Sequence, residues 1–353
     1  MPISLRTSQW WKVLFLLLLS FCDLHAQDPQ FSQFYAAPLY LNPALTGSKY
    51  DARANVNYRN QWVDLPANFQ TTMASFDHYL KGVGISVGAL VKRDQAGEPG
   101  NAHLIQTSID FSGAYLLKVS KNLNINFGLQ LGVLQTSLGF QNFIFSDQIS
   151  SDGTISGSSQ EHFVGENVYV PEIASGMLVI GKGYWAGVAM HHMNQPSISF
   201  LGQKQHYPYK LSVMGGYVIP LEYNKRYFVG NYGDKTISPV FLYTQQGKAD
   251  QLSLGAYLNW NPFILGMWYR GIPGIKKNES STMNQDAIIL MTGFKMQRLS
   301  IGYSIDLTLS DLPQDRALSH EISIAYDFKF YKDYRKKKRR KSDPLPCPVP
   351  WVM

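Results

Sequence analysis

Cysteine is nearly absent from this sequence. Only Cys22 and Cys347 occur in 353 residues, and Cys22 falls in the leader described below. One remaining thiol can build neither a disulfide framework nor a cysteine metal site. Charge is also scarce, at 16% Asp, Glu, Lys and Arg. Long hydrophobic runs are missing as well: no stretch reaches the roughly 18 consecutive apolar residues of a spanning helix. If this chain crosses a membrane, it must do so with strands. What it does have is aromatic residues, 21 Tyr and 19 Phe among them, the types that line the interfaces of a membrane barrel.

The first 26 residues read as a secretory signal. Arg6 and Lys12 supply a positive start, Val13 to Leu19 a short apolar core, and Leu24-His25-Ala26 a cleavage site ending on a small residue. Phe21 stands before Cys22 where a lipoprotein signal needs a small side chain, so no lipid attachment is expected. The mature chain is expected to begin near Gln27. Residues 27–50 hold three prolines and no steady period, yet Phe31, Phe34, Tyr35, Tyr40 and Leu41 give them much to bury. That composition predicts an ordered plug segment, inside a barrel or capping it, rather than a linker.

From Asp51 onward the pattern has a period of two. The last pair of segments is the clearest guide. Leu299, Ile301, Tyr303, Ile305, Leu307 and Leu309 alternate with Ser300, Gly302, Ser304, Asp306, Thr308 and Ser310. After a polar interval, Ile322, Ile324, Tyr326, Phe328 and Phe330 alternate with Glu321, Ser323, Ala325, Asp327 and Lys329. One face is too apolar for water and the other too polar for a second packed layer, which is the pattern of a transmembrane β-barrel. The stretch 122–133 repeats it, with Leu123, Ile125, Phe127, Leu129, Leu131 and Val133 predicted outward and Asn124, Asn126 and Gln130 inward. Counting such segments predicts an all-β, transmembrane outer-membrane barrel of about 14 antiparallel strands over 51–330, each near the 9–11 residues a tilted strand needs. Connections fall into short turns at 81–82, 120–122, 181–183, 261–262 and 296–298, set against long ones at 94–102, 140–170, 194–208, 271–285 and 310–318. Short turns mark the periplasmic rim. Two connections break the rule: 221–235 is long on the short side, and 247–250 is short on the long side. Trp62, Tyr79, Tyr115, Trp185, Trp260, Trp268 and Tyr326 lie near predicted strand ends and read as an aromatic girdle.

Residues 331–353 form a basic, proline-containing tail expected in the periplasm. The formal charge of +7 falls to +6 when Arg6, Lys12 and Asp23 leave with the signal. Lys332, Arg335, Lys336, Lys337, Lys338, Arg339, Arg340 and Lys341, less Asp333, account for all of the remainder and more, so the barrel itself is close to neutral. These eight cations are the candidate partner-binding residues, for an acidic periplasmic protein or for anionic headgroups. Behind a secretory signal they do not meet nucleic acid. Screening over about 8 Å at physiological salt requires any partner to dock closely.

Catalysis has little to stand on. His191, His192, Asp306, Glu321 and Ser323 are the residue types of an outer-membrane hydrolase, but polar side chains are expected in a lumen in any case. Alternation puts His191 and His192 on opposite faces, so at most one is expected inside. No G-x-S-x-G elbow or HExxH pair is read in the sequence, nor a phosphate loop or a metal-ligand cluster. No enzyme activity, cofactor or metal is expected.

Several separate stretches carry a resemblance: QDPQFSQFYAAPLYLNPALTGS at 27–48, YRNQW at 58–62, WYRG at 268–271, and the closing alternation SIGYSIDLTLSDL…SHEISIAYDF with a basic stretch and a Cys-Pro pair after it. Together they resemble the PorP/SprF family of type IX secretion membrane proteins, along nearly the whole mature chain. The resemblance implies a non-enzymatic outer-membrane component of Bacteroidetes-type bacteria. Its implied partners are other type IX components, secreted cargo with C-terminal sorting domains (gliding adhesins in some members) and the lipid around it. The alternative compatible with the same strands is a passive porin or a hydrophobic-solute transporter.

Overall fold

A computed structural model describes residues 28–49, 51–63, 69–81, 83–97, 103–139, 148–149, 154–155, 167–200, 206–221, 235–277, 283–309, 318–328 and 347. The alternating segments become strands: β1 (Ala52–Gln61), β2 (Phe69–Leu80), β3 (Ile85–Gly97), β4 (His103–Ser120), β5 (Leu123–Gly139), β6 (Asn167–Gly181), β7 (Tyr184–His191) and β8 (Lys210–Tyr217). The second half continues with β9 (Ile219–Pro220), β10 (Lys235–Gln246), β11 (Ala249–Trp260), β12 (Phe263–Lys277), β13 (Met283–Met296), β14 (Leu299–Thr308) and β15 (Leu318–Phe328). Strands β8 and β9 both pair with β10 and are one stave interrupted at Val218. The fifteen segments therefore make fourteen staves, every pairing is antiparallel, and β15 against β1 closes the ring. Among the described residues closure leaves the sheet without a free edge strand, which a sheet in hydrocarbon requires.

The sheet is inside out relative to a soluble protein. On β1, Arg53, Asn55, Asn57 and Arg59 are buried while Val56 and Tyr58 are exposed. On β5, Asn124, Asn126 and Gln130 are buried, and Phe127, Leu129, Leu131 and Val133 face outward, as the alternation predicts. That outer surface is lipid-facing by chemistry: a continuous apolar coat over polar contents. No helix among the described residues is long and apolar enough to cross a membrane.

Turns Lys121-Asn122, Lys182-Gly183, Asn261-Pro262 and Gln297-Arg298 are tight and share one rim. Both exceptions to the loop rule persist, since β9 and β10 are separated by a long connection on that rim and Gly247-Lys248 is a short turn on the other. The girdle assignment needs correcting. Tyr115, Trp260 and Tyr326 do face outward, but Trp185, Trp268 and Tyr79 are buried. On β12 the reason is the pleat itself: Phe263, Leu265 and Met267 take the outer face, so Ile264, Trp268 and Arg270 must point in.

Candidate functional site

The lumen is occupied by the chain's own residues 28–49. This segment enters at the long-loop rim, descends through the barrel as three short helical turns (Phe34–Ala36, Pro38–Leu41 and Pro43–Leu45), and reaches the short-turn rim where β1 begins. Prolines open the last two turns and Asn42 caps one by accepting from the Ala44 amide. Every level of the descent is tied to the wall.

At the top, Asp28 is held from several strands. Tyr207 Oη donates to it at 2.7 Å and Lys210 Nζ at 3.2 Å, while His192 Nε2 lies 3.0 Å from both carboxylate oxygens. The Asp28 amide donates to Gln246 Oε1, and His192 Nδ1 lies 2.6 Å from Glu172 Oε1. Burial works against the Asp28 anion, but His192 and Lys210 outweigh it and hold the carboxyl well below the usual range. Burial likewise disfavours the His192 cation, yet Asp28 and Glu172 together raise it to about 9. The expectation that only one of the two histidines faces inward fails here. His191 ends β7 pointing in, and His192, with φ of 53°, turns back into the lumen instead of continuing the strand.

One level down is a second clamp. Glu321 accepts the amides of Ser32 (2.6 Å) and Gln33 (3.1 Å), and Ser323 Oγ donates to Gln33 Oε1. Asp306 accepts from Ser32 Oγ (2.6 Å), Arg59 Nη2 (2.7 Å) and Arg270 Nη1 (3.3 Å). Arg59 also reaches Glu321. These are charge-assisted bonds between largely buried groups. Asp306, Glu321 and Ser323 thus hold the plug in place, and His192 does the same above.

Below, Phe34 packs on Trp268 (centroids 4.6 Å apart) and Tyr35 lies between Trp185 and Tyr257. Asn42 donates to the carbonyls of Met177 and Val188. Glycine is required where backbone meets wall: a Cβ at Gly128 would overlap the Pro43–Ala44 peptide, and one at Gly176 the Asn42 side chain. At the bottom, the Gly47 amide donates to Asp77, which also binds Arg53, and Lys49 pairs with Asp327.

Gly84-Ile85-Ser86-Val87-Gly88 does spell the G-x-S-x-G pattern. It lies along β3, not in a strand-to-helix turn, and Ser86 is buried against Gly47. No group of three His, Cys, Asp or Glu among the described residues could hold a metal. The eight tail cations, Lys332, Arg335, Lys336, Lys337, Lys338, Arg339, Arg340 and Lys341, and the signal over 1–26 lie outside the described residues. Of the tail over 331–353 only Cys347 is described, and it is buried in the aromatic cluster around Tyr35. Sequence reasoning missed Asp28, Ser32, Gln33, Tyr207 and Lys210; for Arg53 and Arg59 the signal was there, as cations at inward positions of a strand. Above the plug, a cavity of about 420 Å³ opens at the long-loop rim, lined by Asp28, Gln30, Arg59, Trp62, Phe69 and Asp94 among others.

An apolar-coated, closed antiparallel barrel with polar contents is an outer-membrane β-barrel protein. Solved structures to which the chain is similar include the Acinetobacter baumannii outer membrane protein Omp33 (7% identity, 79% of this chain and 100% of that one, TM-score 0.42). The P. putida toluene transporter TodX is another (12%, 82% and 93%, 0.45), as is the CymD monoaromatic hydrocarbon channel (13%, 83% and 93%, 0.48). No curated protein matches the sequence. The profile of the type IX secretion system membrane protein family PorP/SprF matches residues 24–326, and the chain belongs to that family. It is an outer-membrane protein, and its family places it among the components of type IX secretion.

Proposed function

We propose that the protein is a non-catalytic, internally plugged platform of type IX secretion, which links cargo bearing C-terminal sorting domains, gliding adhesins among them, to the outer membrane. The observation that carries this reading is the filled lumen. Residues 28–49 are bonded to the wall at the top, middle and bottom of the barrel, which favours a surface for docking over a passage for solutes. The same observation counts against the passive porin or solute transporter. The residues suited to catalysis are engaged in holding the plug, which supports the reading as a non-enzyme. Partners are expected at the two rims: secretion components and the basic stretch on the periplasmic side, cargo on the other.

Deleting the gene in its host is the test. Sorting-domain cargo should then be lost from the cell surface and accumulate in the periplasm. Normal surface delivery, together with steady single-channel conductance of the purified protein, would overturn the proposal in favour of the pore.

A further inference from the structure

Trp62 breaks the alternation of β1. Val56 and Tyr58 take the outer face, so Trp62, in step with them, belongs against lipid. It has a φ of 58° instead, a backbone conformation that a bulky residue adopts only where its surroundings impose it. The Trp62 amide donates to Ser319 Oγ (3.3 Å) and the Val63 amide to the Leu318 carbonyl (3.2 Å), and these bonds hold the reversal. The indole thereby leaves the girdle and lines the cavity of about 420 Å³ above the plug. Its ring meets Phe69 edge to face, centroids 5.5 Å apart, and Phe69 lines the same cavity while 37% exposed. Aromatic rings that face an aqueous mouth, in place of lipid or core, point to a ligand with an apolar face.

The rest of the lining is polar. Strand pairing sets Gln61 between Phe69 and Ser319, and Thr71 beside Asp94. The plug adds Gln30, and β11 adds Gln251. Amides and hydroxyls both donate and accept. The cations of the lining are committed, since Arg59 and Arg270 pair with Asp306 at the floor. An anionic ligand is therefore not favoured. A cationic one gains little, because Asp28 is held by His192 and Lys210, and Asp94 accepts from Thr71 and shares its face of β3 with Lys92. What suits an aromatic corner among neutral amides and hydroxyls is a neutral ring with C–H groups on one face and hydroxyls around its edge, which is a pyranose. The volume lies within the range of about 300–1,000 Å³ of small-ligand sites.

We propose that this cavity is a saccharide-binding site open at the long-loop rim. Trp62 and Phe69 take the C–H face of a neutral pyranose, and Gln30, Gln61 and Asp94 bond its hydroxyls. The site goes beyond the secretion role and does not rest on it. Its sugar is either free or carried by an outer-leaflet glycolipid, and the experiment separates the two.

The full-length protein is purified in lauryldimethylamine oxide, because sugar-headed detergents would compete, with heat-modifiable migration on a gel as the check on folding. Saturation-transfer NMR is run with the methyl glycosides of glucose, mannose, galactose and N-acetylglucosamine, and separately with delipidated oligosaccharide from the host's lipopolysaccharide. Saturable transfer to the ring C–H protons of at least one probe is expected. Response to a methyl glycoside assigns a free sugar, and response to the lipopolysaccharide oligosaccharide alone assigns the glycolipid. W62A/F69A should weaken that binding roughly tenfold or more. Q61A/D94N, which leaves the aromatic corner in place, should weaken it as well and carries the test if the first variant does not fold. Absence of transfer from the folded wild type to every probe would overturn the proposal. So would binding that either variant, once folded, leaves unchanged.

Discussion

At the scale of single residues, the molecule is governed by largely buried charges. Arg59 is one of them, bonded to Asp306, Glu321 and Ser32. Removing one partner of a buried ion pair strands the others, which typically costs about 3–5 kcal/mol. Arg59→Ala is therefore expected to lower the unfolding free energy of the barrel, extrapolated from urea titration, by that much. Arg59→Lys should recover only part of it, since an ammonium cannot span both carboxylates as the guanidinium fork does. Equal stability of Arg59→Ala and wild type in an equilibrium urea titration would show that the clamp contributes nothing. The Asp28–His192 contact makes a pH prediction. His192 is raised from 6.5 to about 9, so its contribution is complete below about pH 6.5 and lost as pH climbs through 9. Asp28 is depressed below 3.8, so its contribution is complete above about pH 4 and lost only in stronger acid. Glu172, Tyr207, Lys210, Gln246 and His191 face the same pocket and set its background. Protection factors at the amides near residues 28–33, in which the base-catalysed intrinsic exchange rate is divided out, should be highest between those limits and fall toward pH 10. His192→Gln should abolish that alkaline fall in protection, and an unchanged profile in that variant would refute the assignment.

At the scale of elements, the strands and the plug obey different rules, and they differ in how far a sequence discloses them. The strands were legible because a pleated ribbon between lipid and polar contents must alternate, and β14 and β15 do so without interruption. The plug was legible only as something that must be buried. Its path was not, because Ser32 and Gln33 find Glu321 across nearly the whole chain and no local period encodes such contacts. His192 was misplaced because a positive φ at a strand end reverses the face that alternation assigns. Trp185 and Trp268 were misread because a tryptophan near a strand end suits a membrane interface, although the outward neighbours of Trp268 already fixed it inward. As an element the plug should also control permeability. Deleting residues 29–48 while keeping the strands removes nearly every lumen-filling contact described above. In planar bilayers the wild type is expected to be silent or to flicker, and the deletion to conduct steadily. Steady conductance of the wild type equal to that of the deletion would mean the segment does not seal the barrel. Gly128→Leu, which drives a side chain into the Pro43–Ala44 peptide, should fall between the two.

At the scale of the whole molecule, everything depends on the apolar coat being solvated by lipid. A soluble barrel with Val, Leu and Phe outside would be insoluble, and a soluble protein would tolerate a charge at any exposed leucine within about 0.5 kcal/mol. A membrane imposes a depth profile instead. Leu129, half exposed near the middle of β5, lies at the level of the hydrocarbon centre, whereas Leu117 lies near the short-turn end of β4. Arginine at the midplane of a membrane barrel costs about 2–4 kcal/mol and near the interface about 0–1 kcal/mol. Leu129→Arg should therefore destabilise the barrel in reversible unfolding from lipid vesicles by several times as much as Leu117→Arg. In detergent micelles the gap should narrow, because a micelle deforms around the charge more readily than a bilayer. The two leucines have similar exposure and identical chemistry, so a difference between them can come only from depth. Equal effects in bilayers would place the coat against something other than lipid, and the account of the plug as the contents of a membrane-spanning wall would fall with it.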